Sequence, residues 1–267
     1  MKVSESEKAL TTAYRKTIWR PFMAAVKEYR LVGDGDRICV CVSGGKDSFL
    51  LAKCMQSLVR RGPMRFEARY LCMDPGFSPE VRAGIEENAR LLEIPLEFFE
   101  TDIFDAVEAM ESGCHMCAKM RRGYLYRRAQ AMGCNKIALG HHFDDAAETM
   151  LMSMLFSGQI RGMRPMVESE NVPGMRLIRP LYKVHEKEIL KWRDESGLTF
   201  PGCACRIAKR ADGAVDSMRA ETKALIRRLN EINPDAARNI FRSAHNVMLD
   251  SLIGWKENGE THSFLDK

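Results

Sequence analysis

Residues 37–48, RICVCVSGGKDS, decide how the rest of the chain is interpreted. Arg37–Val42 is a short apolar run, typical of a strand buried on both faces of a parallel sheet. Ser43–Ser48 follows with two glycines, and residues 49–59 have the pattern of a helix. In this order, backbone N–H groups and the helix dipole surround an anion, and Lys46 adds a full positive charge. The stretch therefore predicts a phosphate-binding loop.

This loop differs from two common phosphate-binding motifs. A Walker A loop requires Ser or Thr after its lysine, whereas Asp47 follows Lys46 here. The segment Gly33-Asp34-Gly35 is not a dinucleotide fingerprint, because Ile38 occupies its third glycine position and because it precedes the strand. Neither a Walker-type ATPase nor a dinucleotide-dependent oxidoreductase is predicted.

Strand and helix patterns alternate on both sides of the loop. Short apolar runs predict strands at residues 37–42, 66–73, 95–100, 136–139 and 175–181. Apolar residues at helical spacing predict helices at residues 5–29, 49–59, 79–92, 118–132, 145–156, 186–195, 214–229 and 234–252. This alternation predicts an α/β fold, a Rossmann-like parallel sheet with helices on both faces.

Three segments are expected along the chain. An N-terminal helical segment (residues 1–32), which Pro21 kinks or restarts, precedes a catalytic domain at residues 33–205. A C-terminal helical segment covers residues 206–267, and its last dozen residues are polar and expected to be loose.

Composition narrows the class of protein. The 267 residues are 45% hydrophobic, which is enough for one large domain or a domain with an appendage. The N-terminus is polar and no run of about 18 apolar residues occurs, so we expect a cytoplasmic protein without membrane contact. The net charge is +5, and basic residues gather around residues 119–128, 161–179 and 206–210, which favours a polyanionic partner.

The nine cysteines fall into two groups. Cys114 and Cys117 form a CxxC motif, which leaves zinc binding, thioredoxin-like redox chemistry and cluster ligation open. Cys203-Ala204-Cys205 fits a structural zinc site badly, whereas three thiolates are enough to hold a cubic iron–sulfur cluster. The other five lie in or near apolar elements and are predicted to pack in the core: Cys39, Cys41, Cys54, Cys72 and Cys134.

Polar residues follow two more of the predicted strands. One strand ends in Met73-Asp74, and another is followed by residues 140–145, GHHFDD. These strand ends should meet the phosphate loop at the carboxyl edge of the sheet, where open α/β folds bind ligands. Asp144 and Asp145 are suited to hold Mg²⁺ through oxygen ligands, while an N-cap of the next helix is the alternative role for Asp145.

The loop sequence SGGKDS resembles the signature of the PP-loop ATP pyrophosphatases, and residues 140–149 are similar to that family's GHHxDDxxET segment. The resemblance implies an adenylated intermediate and a site in which the loop grips the pyrophosphate end of ATP. The implied nucleotide-binding residues are Ser43, Gly44, Gly45, Lys46, Asp47, Ser48, Met73, Asp74, Gly140 and His141. The implied catalytic residues are Lys46, Asp47, Asp144 and Asp145, with Mg²⁺ near Asp47 or Asp145.

A narrower resemblance covers nearly the whole chain. The loop, the CxxC leading into the basic helix Lys119–Tyr126, the KIALGHH stretch and the segment Ile178–Leu181 together resemble the tRNA 2-thiocytidine biosynthesis family. It implies ATP-dependent conversion of a tRNA cytidine to 2-thiocytidine, with a [4Fe–4S] cluster on Cys114, Cys117 and Cys203. The family's later cysteine pair is usually CxxC, so Cys205 is an alternative third ligand. The implied partners are tRNA and a sulfur donor, either the persulfide of a cysteine desulfurase or free sulfide.

Three alternatives stay open at this point, as does a homodimer. A PP-loop ligase similar to lysidine synthase would share the loop but would give no reason for the cysteine motifs. A 2-thiouridine synthetase of the same superfamily often carries extra CxxC pairs at both ends, and none occurs here before residue 114 or after residue 205. The third alternative is a binding protein that senses ATP or a metal.

Overall fold

The structure is a computed structural model that describes residues 3–101, 114–200 and 214–266, with the backbone alone for residues 3–6, 114–119, 121 and 214–217. Its centre is a six-stranded sheet. Its strands are β1 (Arg37–Cys41), β2 (Glu67–Asp74), β3 (Leu96–Glu100), β4 (Lys136–Ala138), β5 (Met166–Glu168) and β6 (Arg176–Ile178).

The strand order is β3-β2-β1-β4-β6-β5. All neighbouring strands pair in parallel except β5, which pairs antiparallel with β6. The chain runs outward from β1 through β2 to β3 and then returns to β4 on the other side of β1. The strand order therefore reverses between β1 and β4, and open α/β sheets bind ligands at the carboxyl ends of the strands at such a point.

Helices connect and cover the strands. In chain order they are α1 (Val3–Thr11), α2 (Arg20–Glu28), α3 (Lys46–Arg61), α4 (Pro79–Leu91), α5 (Cys114–Ala131), α6 (Phe143–Ser157), α7 (Glu186–Glu195), α8 (Ala214–Ile232) and α9 (Ala236–Ser243). The α/β fold with a Rossmann-like, mostly parallel sheet is thus confirmed.

The two faces of the sheet are covered by different helices. Tyr126 and Ala129 of α5 share a buried cluster with Cys39 and Cys41, which point to one face of β1. Helix α3 packs against β1 and β2 and is buried without a break from Ser48 to Leu58. Because parallel crossovers are right-handed and lead to opposite sides of β1, α3 and α5 lie on opposite faces.

The five cysteines expected in the core are all buried with free thiols. Cys39 and Cys134 are close enough for their thiols to interact, and this contact and burial both raise the pKa of Cys134. A thiol that stays protonated is a poor nucleophile and a poor metal ligand. These five residues are therefore packing residues, as predicted.

The N-terminal helix is broken earlier than the sequence indicates. Residues 5–29 were expected to form one helix with a kink at Pro21, but α1 ends at Thr11 and a π-helical turn (Arg15–Trp19) leads into α2. Pro21 does lie in the first turn of α2, where its missing N–H costs nothing. The buried Lys53 of α3 bonds Glu7 of α1 at 3.4 Å, which ties this segment to the sheet domain.

Three expectations for the later part of the chain are wrong. The helix expected at residues 234–252 ends at Ser243, and Leu249–Ser251 forms only a short 3-10 turn. The strand expected at residues 175–181 is only the three residues of β6, and the short edge strand β5 was not predicted. The tail is not loose, because β7 (Gly254–Glu257) and β8 (Glu260–Ser263) form a hairpin. Its two-residue turn, Asn258-Gly259, has φ of 49° and 88°, as a type I′ turn requires.

By internal contacts the chain divides into two units. The first unit, Met1–Ala146 with Arg164–Met218, contains the six-stranded sheet. The second, Ala147–Met163 with Arg219–Lys267, contains the remainder of α6, most of α8, α9 and the hairpin. Within the described residues, no helix is long and apolar enough to cross a membrane.

A buried ion pair lies at the amino end of the sheet. Asp36 precedes β1 and accepts hydrogen bonds from Lys136 Nζ (2.6 Å), Asn135 Nδ2 (2.8 Å) and the Gly33 N–H (2.7 Å). Burial alone would raise the pKa of Asp36, but the hydrogen bonds outweigh it and lower that pKa below its usual 3.8. This group ties the starts of β1 and β4 together.

We expect Asp36→Asn to lower the free energy of unfolding by about 3 kcal/mol, because the substitution leaves Lys136 buried without a counter-charge. Urea unfolding at pH 7 measures this change. The difference from wild type should shrink below pH 3.8 and vanish as the pH falls through the lower pKa of the folded state. Glu67→Gln is the control, since its ion pair with Arg37 is mostly exposed and should contribute less than about 1 kcal/mol. Equal effects of the two substitutions would contradict this account.

Candidate active site

The phosphate loop spans the gap between the end of β1 at Cys41 and the start of α3 at Lys46. Gly44 has φ of +87°, a conformation that other residues adopt only with strain. A Cβ at Gly44 would also lie 2.7 Å from Cδ1 of Ile85 on α4, so the position admits only glycine. Both the backbone conformation and the closeness of α4 therefore require glycine at this position of the loop.

Ser48 holds the loop closed. Its buried hydroxyl accepts a hydrogen bond from the Ser43 N–H (3.1 Å) and donates one to the Gly45 carbonyl oxygen (2.8 Å). Gly45 is the N-cap of α3, and no described side chain caps that end of the helix. The first N–H groups of α3 are thus oriented towards a ligand rather than a protein acceptor, as at helix N-termini that bind phosphate.

Lys46 is held in place beside the loop. Its Nζ lies 3.0 Å and 3.1 Å from the two carboxylate oxygens of Asp47 and 3.8 Å from Oε1 of Glu186, the first residue of α7. The lysine side chain is one-fifth exposed. The ammonium group is therefore anchored at the mouth of the loop and faces partly towards solvent.

The residues after β4 form a reciprocal helix cap. His142 precedes α6, and its N–H donates to Oδ2 of Asp145 (3.0 Å), whose own N–H donates to Nδ1 of His142 (3.4 Å). This is a capping-box arrangement. Since α6 begins at Phe143, Asp145 is the third helical residue and not the N-cap that the sequence suggested as an alternative.

Carboxylates converge on the ring of buried His142. Nearest distances from its nitrogens are 3.4 Å to Asp145, 3.7 Å to Asp144 and 3.9 Å to Asp47. Asp144 also accepts the N–H of Glu186 at 2.7 Å, which joins the start of α7 to the start of α6. The acidic groups of this cluster outnumber the nearby Lys46 and His142, so the site favours a cation.

Gly140 allows the end of β4 to approach the phosphate loop. A Cβ on Gly140 would lie 3.0 Å from the carbonyl carbon of Asp47 and 3.2 Å from the N of Ser48. Both neighbours are backbone atoms, which cannot turn aside as a side chain can. The predicted ATP-binding residue Gly140 thus sets the distance between two strand ends, and the half-buried His141 follows it at the same edge.

Asp74, at the end of β2, shapes the loop that follows. Its Oδ1 accepts the N–H groups of Gly76 (2.9 Å) and Phe77 (2.7 Å), and its Oδ2 accepts a hydrogen bond from Nη1 of Arg82 (2.8 Å). Arg82 lies over the ring of Phe98, 4.6 Å from its centroid. Because Met73 and Asp74 are buried, this strand end offers a ligand mainly its backbone and the ordered loop.

Comparison with known proteins identifies the family. Residues 15–202 match the PP-loop domain family. A tRNA-cytidine(32) 2-sulfurtransferase from Geobacter sulfurreducens is 37% identical over 233 residues, which cover 84% of this chain and 86% of the relative. The protein of that name from Coxiella burnetii (strain RSA 493) is 35% identical over 236 residues, 86% of this chain and 89% of the relative. The chain belongs to the PP-loop tRNA-cytidine 2-sulfurtransferases.

A solved structure agrees in fold. The U34-tRNA thiolase NcsA from Methanococcus maripaludis, described with its [4Fe-4S] cluster, has a TM-score of 0.67 and 17% identity to this chain. The match covers 89% of this chain and 80% of NcsA. At this identity the likeness shows a shared fold.

The family's cysteine motif opens α5. Cys114 is the first residue of α5 and Cys117 follows one turn later. Because α5 connects the parallel strands β3 and β4, it runs antiparallel to them and its N-terminus lies at the carboxyl edge of the sheet. Cys203 and Cys205 lie outside the described residues. The topology therefore directs the start of α5, with Cys114 and Cys117, towards the edge at which the phosphate loop lies.

Three residues that support the site were not predicted from the sequence: Glu186, Arg82 and, in its role as a helix cap, His142. Glu186 and Arg82 are far from the loop in sequence, and each resembles an ordinary exposed residue of a helix's first turns. A weak signal existed for His142 alone, because it directly precedes a helix with aspartate at the third helical position.

We expect Gly140→Ala to raise the Kd for ATP about tenfold, since the added carbon must push β4 and the phosphate loop apart. Isothermal titration calorimetry with ATP measures this. Gly84→Ala is the matched control: a Cβ there meets nothing within 4 Å and should stabilise α4 by about 0.5–1 kcal/mol. Wild-type ATP affinity in Gly140→Ala would show that the close approach has no role.

Arg82→Gln should raise the KM for ATP about threefold to tenfold with little change in kcat, because Arg82 only positions the loop after Asp74. Steady-state kinetics with varied ATP gives both constants. Arg90→Gln on the same helix serves as the control, because its ion pair with Glu87 is exposed. A loss of kcat with KM unchanged would argue against a positioning role.

Proposed function

We propose that this protein uses ATP to activate the 2-oxygen of a tRNA cytidine, at position 32, and replaces that oxygen with sulfur. The observation that carries the proposal is that the phosphate loop and the acidic cluster lie together at one edge of the sheet. The topology directs the start of α5, with its CxxC motif, towards the same edge, which supports the proposal. The names of the relatives supply the substrate and the position.

ATP would bind with its pyrophosphate end on the loop. The open N–H groups at the start of α3 and the ammonium group of Lys46 favour phosphate oxygens there. The adenosine would lie towards the end of β2, at Met73 and Asp74, and Gly140 and His141 would border the other side. The positive φ of Gly44 and the closed Ser43–Ser48 contact support a loop shaped before the nucleotide arrives.

Activation is a substitution at the α-phosphorus. The 2-oxygen of the cytidine forms a bond to this phosphorus, and the bond to pyrophosphate breaks, which leaves AMP attached to the base. Lys46 would stabilise the negative charge that develops on the departing pyrophosphate. Sulfur then replaces the activated oxygen, and AMP departs with that oxygen.

Magnesium would be held by carboxylates of the acidic cluster, at Asp47, Asp144 or Asp145. The donor set fits, because Mg²⁺ in nucleotide sites takes one or two carboxylates together with phosphate oxygens. In the described part of the chain, no three His, Cys, Asp or Glu side chains are grouped to hold a metal by themselves. A site that binds Mg²⁺ together with ATP is consistent with that arrangement.

The cysteines fit a [4Fe–4S] cluster. Burial of five cysteines leaves Cys114, Cys117, Cys203 and Cys205 as the candidates, and a helix N-terminus such as that of α5 favours thiolates. When bound, a cluster with three protein ligands leaves one iron open to carry the incoming sulfur. Cys114 and Cys117 would supply two ligands, and Cys203 or Cys205 the third.

The tRNA would lie across the basic part of α5. Arg122, Arg127 and Arg128 are exposed on this helix and suited to phosphate contacts, and the target base must leave its stack to reach the site. The sulfur would come from outside the chain, either as free sulfide or from a cysteine desulfurase persulfide; in the second case an external thiol supplies the two electrons and ends in a disulfide. We place this reaction in the cytoplasm, with the tRNA.

The test is anaerobic purification followed by iron and sulfide analysis and by nucleoside analysis of tRNA after incubation with ATP and sulfide. We expect about four irons and four sulfides per chain and the appearance of 2-thiocytidine. Cys114→Ser should lose the iron and the product, while Lys46→Met should keep the iron and lose the product. Cys54→Ala is the control, because it removes a core thiol and should leave the iron content unchanged.

Two outcomes would overturn the proposal. A full iron content in Cys114→Ser would remove the CxxC motif from the cluster. Zinc in place of iron, together with ATP- and tRNA-dependent AMP release but no thiolated base, would instead favour a PP-loop ligase that transfers no sulfur.

A further inference from the structure

Arg179 follows β6 at the carboxyl edge of the sheet. Its backbone N–H donates to the Pro165 carbonyl oxygen at 2.9 Å, and its Nη1 donates to the carbonyl oxygen of Arg164. Both acceptors are backbone carbonyl oxygens, so the one described hydrogen bond of the guanidinium group is to a neutral partner. From the sequence, Arg179 was predicted only as part of the basic stretch at residues 161–179 and of the segment Ile178–Leu181.

The charge of Arg179 is poorly compensated. Its Nε is buried and has no hydrogen-bond partner among the described residues, and no described carboxylate lies within 4.0 Å of the group. Burial, with a smaller contribution from the nearby Arg122, lowers the pKa of Arg179 to about 10, although Tyr182, Tyr126 and Asp145 favour the charged form. Buried charges are normally paired, so an unmatched donor needs an explanation.

The position of Arg179 suggests what that explanation is. The adenosine of ATP is proposed to lie at the end of β2 and its pyrophosphate at the end of β1. In the strand order, β4 and β6 follow on the other side of β1. Arg179 thus lies beyond the phosphate loop, on the side where Arg122 and Tyr126 of α5 approach the edge. This is where the second substrate must come to meet ATP.

Two roles fit a half-buried arginine whose Nε has no described partner. As a structural residue it would balance Asp145 and pack against the tyrosines, but in the described part of the chain its guanidinium group forms no ion pair with Asp145 within 4.0 Å. As a binding residue it would use Nε and its second terminal nitrogen, which form a planar fork that matches two oxygens of a phosphate. The unpaired Nε favours the second role.

We propose that Arg179 binds a phosphate group of a substrate at the carboxyl end of β6 and so positions the acceptor nucleotide against the α-phosphate of ATP. This inference rests on the proposed function. The phosphate belongs either to the tRNA backbone next to the cytidine or to ATP itself, and the same chemistry recognises both.

The experiment compares Arg179→Met and Arg179→Lys with Arg176→Met. Arg176 is an exposed arginine of the same strand, paired with Glu168 at 3.0 Å, and serves as the control. Each protein is tested for the Kd of unmodified tRNA at several salt concentrations, the Kd of ATP, and the melting temperature. Arg179→Met removes a half-buried charge without a described carboxylate partner and should leave the melting temperature unchanged or higher.

For a tRNA phosphate, Arg179→Met should raise the Kd for tRNA about tenfold and reduce the slope of log Kd against log salt by about one, with ATP affinity unchanged. For a nucleotide phosphate, the Kd for ATP should rise about tenfold, with tRNA binding unchanged. Arg179→Lys keeps the charge without the fork, so its affinity should be intermediate.

The proposal is overturned if Arg179→Met binds both tRNA and ATP as tightly as Arg176→Met does. If Arg179→Met does not fold, Arg179→Lys decides, and wild-type affinities for both ligands in that folded variant would also overturn the proposal. Thiolation by the wild-type protein is scored separately by nucleoside analysis. A failure of the proposed function therefore leaves the two binding constants interpretable.

Discussion

The close approach of backbone segments at the point where the strand order reverses is the constraint on which the rest of the site depends. Gly140 brings the end of β4 against the backbone of Asp47 and Ser48, and Gly44 lies beneath Ile85 of α4. Neither contact leaves room for a Cβ. Because both neighbours of the phosphate loop are packed in this way, the N–H groups of α3 are presented at a fixed angle before any ligand binds, which lowers the entropic cost of binding.

Charge is distributed unequally between the two ends of the sheet. At the amino end, Asp36 and Lys136 neutralise each other, and Asn135, Gly33 and Leu31 provide further hydrogen bonds to the pair, which ties the starts of β1 and β4 together. The carboxyl end instead carries excess carboxylates around His142 and a guanidinium at Arg179 whose Nε has no described acceptor. Such imbalance costs stability, and it is expected where a metal, phosphates and a second substrate are to be bound.

The accuracy of the sequence prediction follows the length and burial of each element. The runs that form β1 and β2 are buried on both faces, and their composition predicts them within one or two residues. Strand β5 has three residues that are mostly exposed, whereas the equally short β4 is buried and was predicted. The C-terminal hairpin is also exposed, so its strands lack a continuous apolar run. The pair Asn258-Gly259 in its turn is nevertheless a local sequence signal that favours a hairpin.

By itself, the sequence determined the class of fold, the phosphate loop, the acidic segment and the cysteine motif, because each of these is a contiguous stretch whose chemistry is local. Only the tertiary structure decided which residues support them. Glu186 reaches Lys46, and Arg82 orders the loop at Asp74, through contacts between segments that are distant in the chain. The sequence likewise could not show whether the positive charge of Arg179 is paired with a carboxylate, because that depends on which groups surround the side chain after folding.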